Sequence, residues 1–191
     1  MNRTTSGARA LGDVVAAAES PDGLVEVTAG VFGDLRGLWL DPRVRADLDG
    51  VGARVLLATR IAASAAAWSA AGVPRGTPVG DLAFDPVLRE IDRRAAEPRP
   101  STVDDRPVPV VDHRALRREL ERLREAIAEI RETARSTDGA VTVTVGGRGE
   151  LLDLVVDRRS RHADAAVLAD RVLATSRLAV ARVGDRLRGV S

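Results

Sequence analysis

The sequence has no cysteine and no lysine, and it has only four aromatic residues among 191. The absence of cysteine excludes a disulfide framework and thiol chemistry. The two histidines have no other His or Cys at metal-ligand spacing, so we expect neither a metal nor a cofactor. No apolar run is long enough for a membrane span, and the N-terminus lacks a signal-peptide core. These absences predict a cytoplasmic protein with no membrane segment.

All 29 basic residues are arginine, and the net charge is +1. GC-rich coding explains such a composition, whereas selection for bidentate phosphate contacts is the alternative that composition alone does not support. The charge is uneven, because residues 1–72 and 73–111 each carry −1 and residues 112–191 carry +3. This mild basic bias falls short of the basic stripe that is typical of nucleic-acid binders.

An internal repeat organises the chain. Residues 20–45 and 136–161 are identical at 13 of 26 positions, and the match resumes after one inserted residue at Arg54 and Arg171. Each copy has a period-2 apolar pattern, clearest at 141–145, then a glycine-rich hairpin and a second short strand. Two copies are too few for a solenoid, so we expect a duplicated module whose copies pack on each other.

The rest of the chain fits two modules around a linker. We predict a first module at 1–72, a linker at 73–111 that holds seven of the nine prolines, and a second module at 112–191. Within the linker, 85–96 is compatible with a helix. Residues 14–18 are either a helix end or a first strand. Trailing helices are predicted over about 51–71 and 165–187. The apolar residues at helical spacing are Val55, Leu56, Ile61, Ala65 and Trp68 in the first, and Val167, Leu168, Val172, Leu173, Leu178, Ala179, Val183 and Leu187 in the second.

A leading helix precedes only the second hairpin. Leu116, Leu120, Leu123, Ile127 and Ile130 are spaced as in a heptad seam, and Asp112 is the expected N-cap. So short a seam needs a partner helix. The predicted fold is α+β, with two tandem modules of helix, β-hairpin or three-stranded antiparallel sheet, and helix. Pairing of the two modules within the chain, as a pseudo-dimer, and pairing with a second chain both stay open.

The motif DGxVxVTxxGxGELxxLxxD, which begins at Asp138 and ends at Asp157, resembles the YbaB/EbfC family of nucleoid-associated proteins. The first copy matches it from Asp22 to Pro42, and the arginine-rich style suggests an actinobacterial member. The resemblance implies small α/β dimers that bind duplex DNA with modest sequence preference through projecting helices. It therefore implies self-association, within the chain or as a homodimer, and a nucleoid location.

If DNA is the partner, arginine would neutralise phosphates with little base readout. The candidates are Arg114, Arg117, Arg118, Arg122, Arg124, Arg158, Arg159, Arg161, Arg177, Arg182, Arg186 and Arg188. The alternative for each is a solvated face or an intrahelical pair with a nearby Glu, as for Arg117 and Glu121.

No catalytic arrangement can be identified, so the protein is interpreted as a non-enzyme. The loop at 146–149 joins two strands rather than a strand and a helix, which favours a hairpin turn over a phosphate loop. Asp41 and Asp157 are expected to cap the segments that follow them. The alternative function is a protein-interaction or accessory module, for example in type VII secretion, that does not bind DNA. The truncated first module and the apolar seam favour it.

Overall fold

A computed structural model describes residues 13–71 and 113–189. The strands are β1 Val15–Glu19, β2 Val25–Gly30, β3 Leu35–Leu40, β4 Arg131–Arg135, β5 Val141–Gly146 and β6 Leu151–Val156. The helices in these ranges are α1 Val51–Ala71, α2 His113–Glu129 and α3 Ala165–Arg188. Short 3-10 turns cover Pro42–Ala46, Leu48–Gly50 and Arg158–His162. The predicted linker, with its helix-compatible segment 85–96, lies outside the described residues, so the predicted module boundaries stay predictions.

Two three-stranded antiparallel sheets, β1-β2-β3 and β4-β5-β6, confirm the α+β class. Corresponding residues carry the same register irregularity, at Thr28/Ala29 and at Thr144/Val145. The alternation predicted for β5 is present, since Val141, Val143 and Val145 are all fully buried. The segment at 14–18, for which helix and strand were both open, forms β1. The strand β4 was not located in advance.

The turn before each central strand is built the same way in both sheets. Ser20 Oγ donates to Asp22 Oδ1 over 2.7 Å and accepts from the amide of Val25 over 3.0 Å. Ser136, Asp138 and Val141 repeat these bonds at 2.7 and 2.9 Å. Gly23 and Gly139 have φ of 67° and 69°, a conformation that favours glycine. The repeated sequence thus specifies a repeated turn.

Each trailing helix packs on both sheets. The helix α1 contacts β1 and β2 of its own module and β6 of the other, while α3 contacts β4 and β5 and also β3. As a result one continuous hydrophobic core contains residues of both modules. The two modules therefore pair within the chain, as the pseudo-dimer interpretation expected.

The hairpins contact each other reciprocally. A Cβ at Gly33 would lie 3.5 Å from Glu150 Cβ, and one at the equivalent Gly149 would lie 3.8 Å from Asp34 Cβ. The amide of Leu151 also donates to the carbonyl of Gly33 over 3.1 Å. Corresponding elements thus meet across an approximate twofold axis.

Some predicted helix faces were wrong. Ile61, expected on the buried face of α1, is 45% exposed, because α1 buries a stripe of smaller residues instead: Val51, Val55, Ala58, Ala62 and Ala66. On α3, Val167 and Leu178 are 44% and 46% exposed. The seam residue Ile130 lies just beyond α2 and is buried next to β4. Alanine on the inner faces lets helix and sheet approach closely.

The segment Leu48–Ala70 is long and apolar enough to cross a membrane by length and composition alone. Its packing against β1, β2 and β6 explains this composition as that of a core helix.

Gly52 tests the pairing of the modules. A Cβ there would lie 2.0 Å from the carbonyl oxygen of Leu154, which is backbone of the other module. Gly52→Ala should therefore lower the free energy of unfolding by about 1–3 kcal/mol, as overpacking does. Gly184→Ala on α3 is the matched control, because its Cβ would meet only Arg188, at 3.7 Å. That variant should be neutral or stabilising by about 0.5–1 kcal/mol. Chemical denaturation measures both variants. If Gly52→Ala and Gly184→Ala changed the free energy of unfolding equally, the close approach of α1 to β6 would be contradicted.

Asp22 gives a pH dependence. Hydrogen bonds from Ser20 and Arg54 lower the pKa of Asp22 from 3.8 to about 2. A carboxyl whose pKa is lower in the folded state stabilises the fold above its unfolded pKa and stops doing so as pH falls through the folded value. Asp22→Asn should therefore lower the melting temperature above pH 4, and the difference should shrink between about pH 4 and pH 2. Thermal unfolding across this pH range measures the difference in melting temperature. The control is Asp170→Asn, because Asp170 lies on the exposed face of α3. If the difference in melting temperature between the wild type and Asp22→Asn stayed constant with pH, the ionisation of Asp22 would not contribute to stability.

Candidate nucleic-acid interface

Two aspartates start the 3-10 turns that follow β3 and β6. The Oδ1 atoms of Asp41 and Asp157 accept the amides of Arg43 and Arg159, each over 2.8 Å. The capping role predicted for these two aspartates is confirmed. Each turn then projects arginine side chains from a fixed point at the end of a strand, because the cap holds its backbone.

The twofold arrangement brings these turns together. The turn Arg158–His162 contacts both Pro42–Ala46 and Leu48–Gly50 of the first module. We call residues 41–50 and 157–162 the paired-turn surface. It gathers five arginines from both modules: Arg43, Arg45, Arg158, Arg159 and Arg161.

Arg43 and Arg45 were missing from the sequence-based candidates. They were detectable, because they are identical in the repeat to Arg159 and Arg161. A pairing of the modules about a twofold axis places equivalent residues near each other whenever they lie close to that axis. The repeat alone, however, does not say which of its positions lie there.

Ion pairs occupy part of this surface. Arg158 Nη2 lies 2.6 Å from Asp49 Oδ2 across the two modules, and this hydrogen bond lowers the pKa of Asp49 and raises that of Arg158. Arg43 and Arg159 pair with the capping aspartates at 2.9 and 3.7 Å. These three arginines are still 73–81% exposed, so water and salt weaken the pairs.

Two arginines of the surface have no carboxylate partner among the described residues. Arg45 Nε donates to the carbonyl of Pro42 over 3.1 Å, and Arg161 is exposed. The surface holds five arginines and four aspartates, Asp41, Asp47, Asp49 and Asp157, for a net charge of +1. It can attract an anion, with Arg45 and Arg161 as its most available charges.

The candidates on α2 lie on an exposed helix. Arg117 pairs with Glu121 at 3.5 Å, as the local-pair alternative expected. Arg122 pairs with Glu119 at 3.7 Å. Arg114 and Arg118 are exposed and Arg124 is half-buried. The helix carries five arginines and four glutamates, so its charges are interleaved and not segregated on a basic face.

Three of the candidates on α3 bind their own chain. Arg182 donates to the carbonyl of Thr133, and Arg186 Nη1 donates to Glu132 Oε1 over 2.8 Å. Both contacts tie α3 to β4. Arg188 pairs with Asp185 on the same helix at 2.5 Å. Arg177 is exposed beside a groove against β3. The α3 candidates thus support the fold more than they form a common surface.

The glycine loop at 146–149 is a hairpin turn, as expected, in which the amide of Gly146 donates to the carbonyl of Glu150 over 2.9 Å. Among the residues that the structure covers, no group of three His, Cys, Asp or Glu side chains could hold a metal ion.

The fold and this surface define a class: a two-module α+β protein with clustered, exposed arginines. Residues 112–188 match the model of the YbaB/EbfC DNA-binding family. The resemblance noted in the sequence is thereby confirmed for residues 112–188, which match the model of this DNA-binding family. The match indicates a DNA-binding role in general and no enzymatic family.

The chain is also similar to a solved structure, the crystal structure of uncharacterized protein HP0035 from Helicobacter pylori. The identity is 21%, the similarity covers 40% of this chain and 82% of that one, and the TM-score is 0.36. No curated protein matches the chain.

Ser160 provides a stability test inside the paired-turn surface. Its side chain is 2% exposed, and its Oγ has no hydrogen-bond partner in the part of the chain that the structure describes. The first module has the fully buried Val44 at this position. Ser160→Val should raise the free energy of unfolding by roughly 1 kcal/mol, because an unsatisfied buried hydroxyl is removed.

The reverse exchange, Val44→Ser, is the matched control and should destabilise the protein by about 1–3 kcal/mol. Denaturant unfolding measures both variants. A destabilising Ser160→Val would mean that the two positions are not equivalent in the core.

Proposed function

We propose that the protein binds duplex DNA mainly through phosphates, with low sequence specificity, and that the paired-turn surface is its principal contact. The observation that supports this most directly is the meeting of Arg43 and Arg45 with Arg159 and Arg161, four arginines that the repeat preserves. The match of residues 112–188 to the model of a DNA-binding family supports the choice of DNA as the anion.

The geometry favours backbone contacts over base readout. The arginines project from short 3-10 turns, and no helix of the paired-turn surface is long enough to enter a major groove. Arginine on a duplex without such an element contacts phosphates, which carry no sequence information directly. Low specificity follows from this arrangement.

The modest charge predicts modest, salt-sensitive binding. Each phosphate that an arginine neutralises contributes about −0.9 to the slope of log K against log salt. Arg45 and Arg161 can bind phosphates directly. The other three arginines, Arg43, Arg158 and Arg159, would have to release their aspartate partners before they bind a phosphate. The proposed location is the nucleoid, in the cytoplasm.

The test is a mobility shift on duplex DNA across a salt series. Arg45→Ala with Arg161→Ala should weaken binding to unrelated sequences equally and reduce the salt slope by about 1.8, since two phosphate contacts are lost. The control is Arg36→Ala with Arg60→Ala, which removes the same charge from β3 and α1 outside the surface. It should leave the slope nearly unchanged.

Other outcomes redirect the proposal. A loss of binding only when Arg118 and Arg122 become alanine would move the contact to α2, where the family resemblance first pointed. Absence of any shift at micromolar protein in low salt would refute DNA binding. The alternative, an accessory protein that binds another protein, would then be tested by affinity capture with the intact chain as bait.

A further inference from the structure

The helix α2 has an apolar stripe that the described residues cover only in part. Leu123 is 54% exposed, Leu120 and Ile127 are half-buried, and Ile130 at the base is buried. The last turn of α2 lies against the body of the protein, where a Cβ at Gly147 would lie 2.1 Å from the carbonyl oxygen of Ile127. The stripe therefore runs outward from the core along a projecting helix.

The base of this stripe is a groove of about 320 Å³ between α2 and the end of α3. Its lining is Leu123, Ala126, Ile127, Glu129, Ile130, Arg186 and Leu187. The groove continues into the exposed part of the stripe. A helix laid along α2 would cover Leu123 and close the groove in one contact.

The charges beside the stripe indicate which helix fits. With the stripe at heptad positions a and d, Glu119 occupies g, and Arg117 and Arg124 occupy e. In a parallel pair of helices, g of one chain lies against the next e of the other, so Glu119 would meet Arg124 of the second copy, twice by symmetry. In an antiparallel pair, e faces e and arginine would oppose arginine.

We propose that α2 pairs in parallel with α2 of a second copy of this chain. This inference goes beyond the proposed function, because it concerns assembly through a surface other than the paired turns. Of the two orientations that a second copy of α2 can take, the parallel one pairs the charges beside the stripe with opposite charges. The pairs that Glu119 and Arg117 make within α2, at 3.7 and 3.5 Å, are solvent-exposed and exchange readily.

The expected dimer is weak. The 17 residues of α2 span about 25 Å, a little over two heptads. Short coiled coils are marginal alone, so we expect dissociation in the micromolar range. Two copies joined in this way would present two paired-turn surfaces.

The first experiment measures mass against concentration by analytical ultracentrifugation of the full chain. The wild type should pass from monomer to dimer in the micromolar range, and Leu123→Glu should remain monomeric. Leu178→Glu is the matched control, because Leu178 is a helical leucine of similar exposure on α3. It should dimerise as the wild type does. Circular dichroism verifies that both variants fold.

Charge reversal tests the orientation. Glu119→Arg should raise the dimer dissociation constant by roughly tenfold, since two attractive pairs become repulsive. Adding Arg124→Glu to that variant restores both pairs in the parallel arrangement with no change in net charge, so the double variant should dimerise nearly as the wild type.

Several results would overturn the proposal. One is a wild-type chain that is monomeric at 100-fold the concentration used for binding assays, which would mean that another segment or a different partner covers the stripe. Another is a dimer that survives Leu123→Glu. Failure of Arg124→Glu to rescue Glu119→Arg would exclude the parallel pair. None of these results bears on DNA binding, which the salt series decides separately.

Discussion

The rest of the structure depends on the sharing of one core by two modules. A three-stranded sheet with one apolar face, and an alanine-rich helix that buries mostly small side chains, leave little apolar volume to enclose on their own. The helix α1 therefore also packs on β6, and α3 on β3, so each module completes the core of the other. Because both modules are in one chain, no second molecule is needed for this contact. The close approach at Gly52 shows how little space separates them.

The same pairing creates the only surface at which basic turns of both modules meet within the described residues. Neither turn would attract DNA strongly alone, since Asp41 and Asp157 each pair with the arginine two residues later. Combined, the turns place Arg45 and Arg161 at one site together with the inter-module pair of Arg158 and Asp49. Stability and the proposed function thus rest on one interface, and variants that separate the modules should affect both.

Local patterns predicted most of the elements. The alternation at Val141–Val145, the glycine hairpin at 146–149 and the capping aspartates depend on neighbours in sequence, and the structure has them as expected. The helix faces were harder, because Ile61 and Leu178 are exposed where small alanines allow closer packing. The candidate site was harder still. Whether Arg182 binds DNA or the carbonyl of Thr133 depends on a contact 49 residues away, which composition and spacing do not encode.

One difference between the two copies of the repeat affects how a leading helix can pack. Gly147 admits no side chain because the last turn of α2 lies against it, whereas the first module has Val31 at that position. A valine there would collide with a helix docked as α2 is. The first module is thus incompatible with a helix docked in the same way, and among the described residues α2 is the one helix with this position. Within the described residues the pseudo-dimer has no equivalent helix that could cover the stripe of α2, and this asymmetry is the reason why we propose a second copy of the chain as its partner.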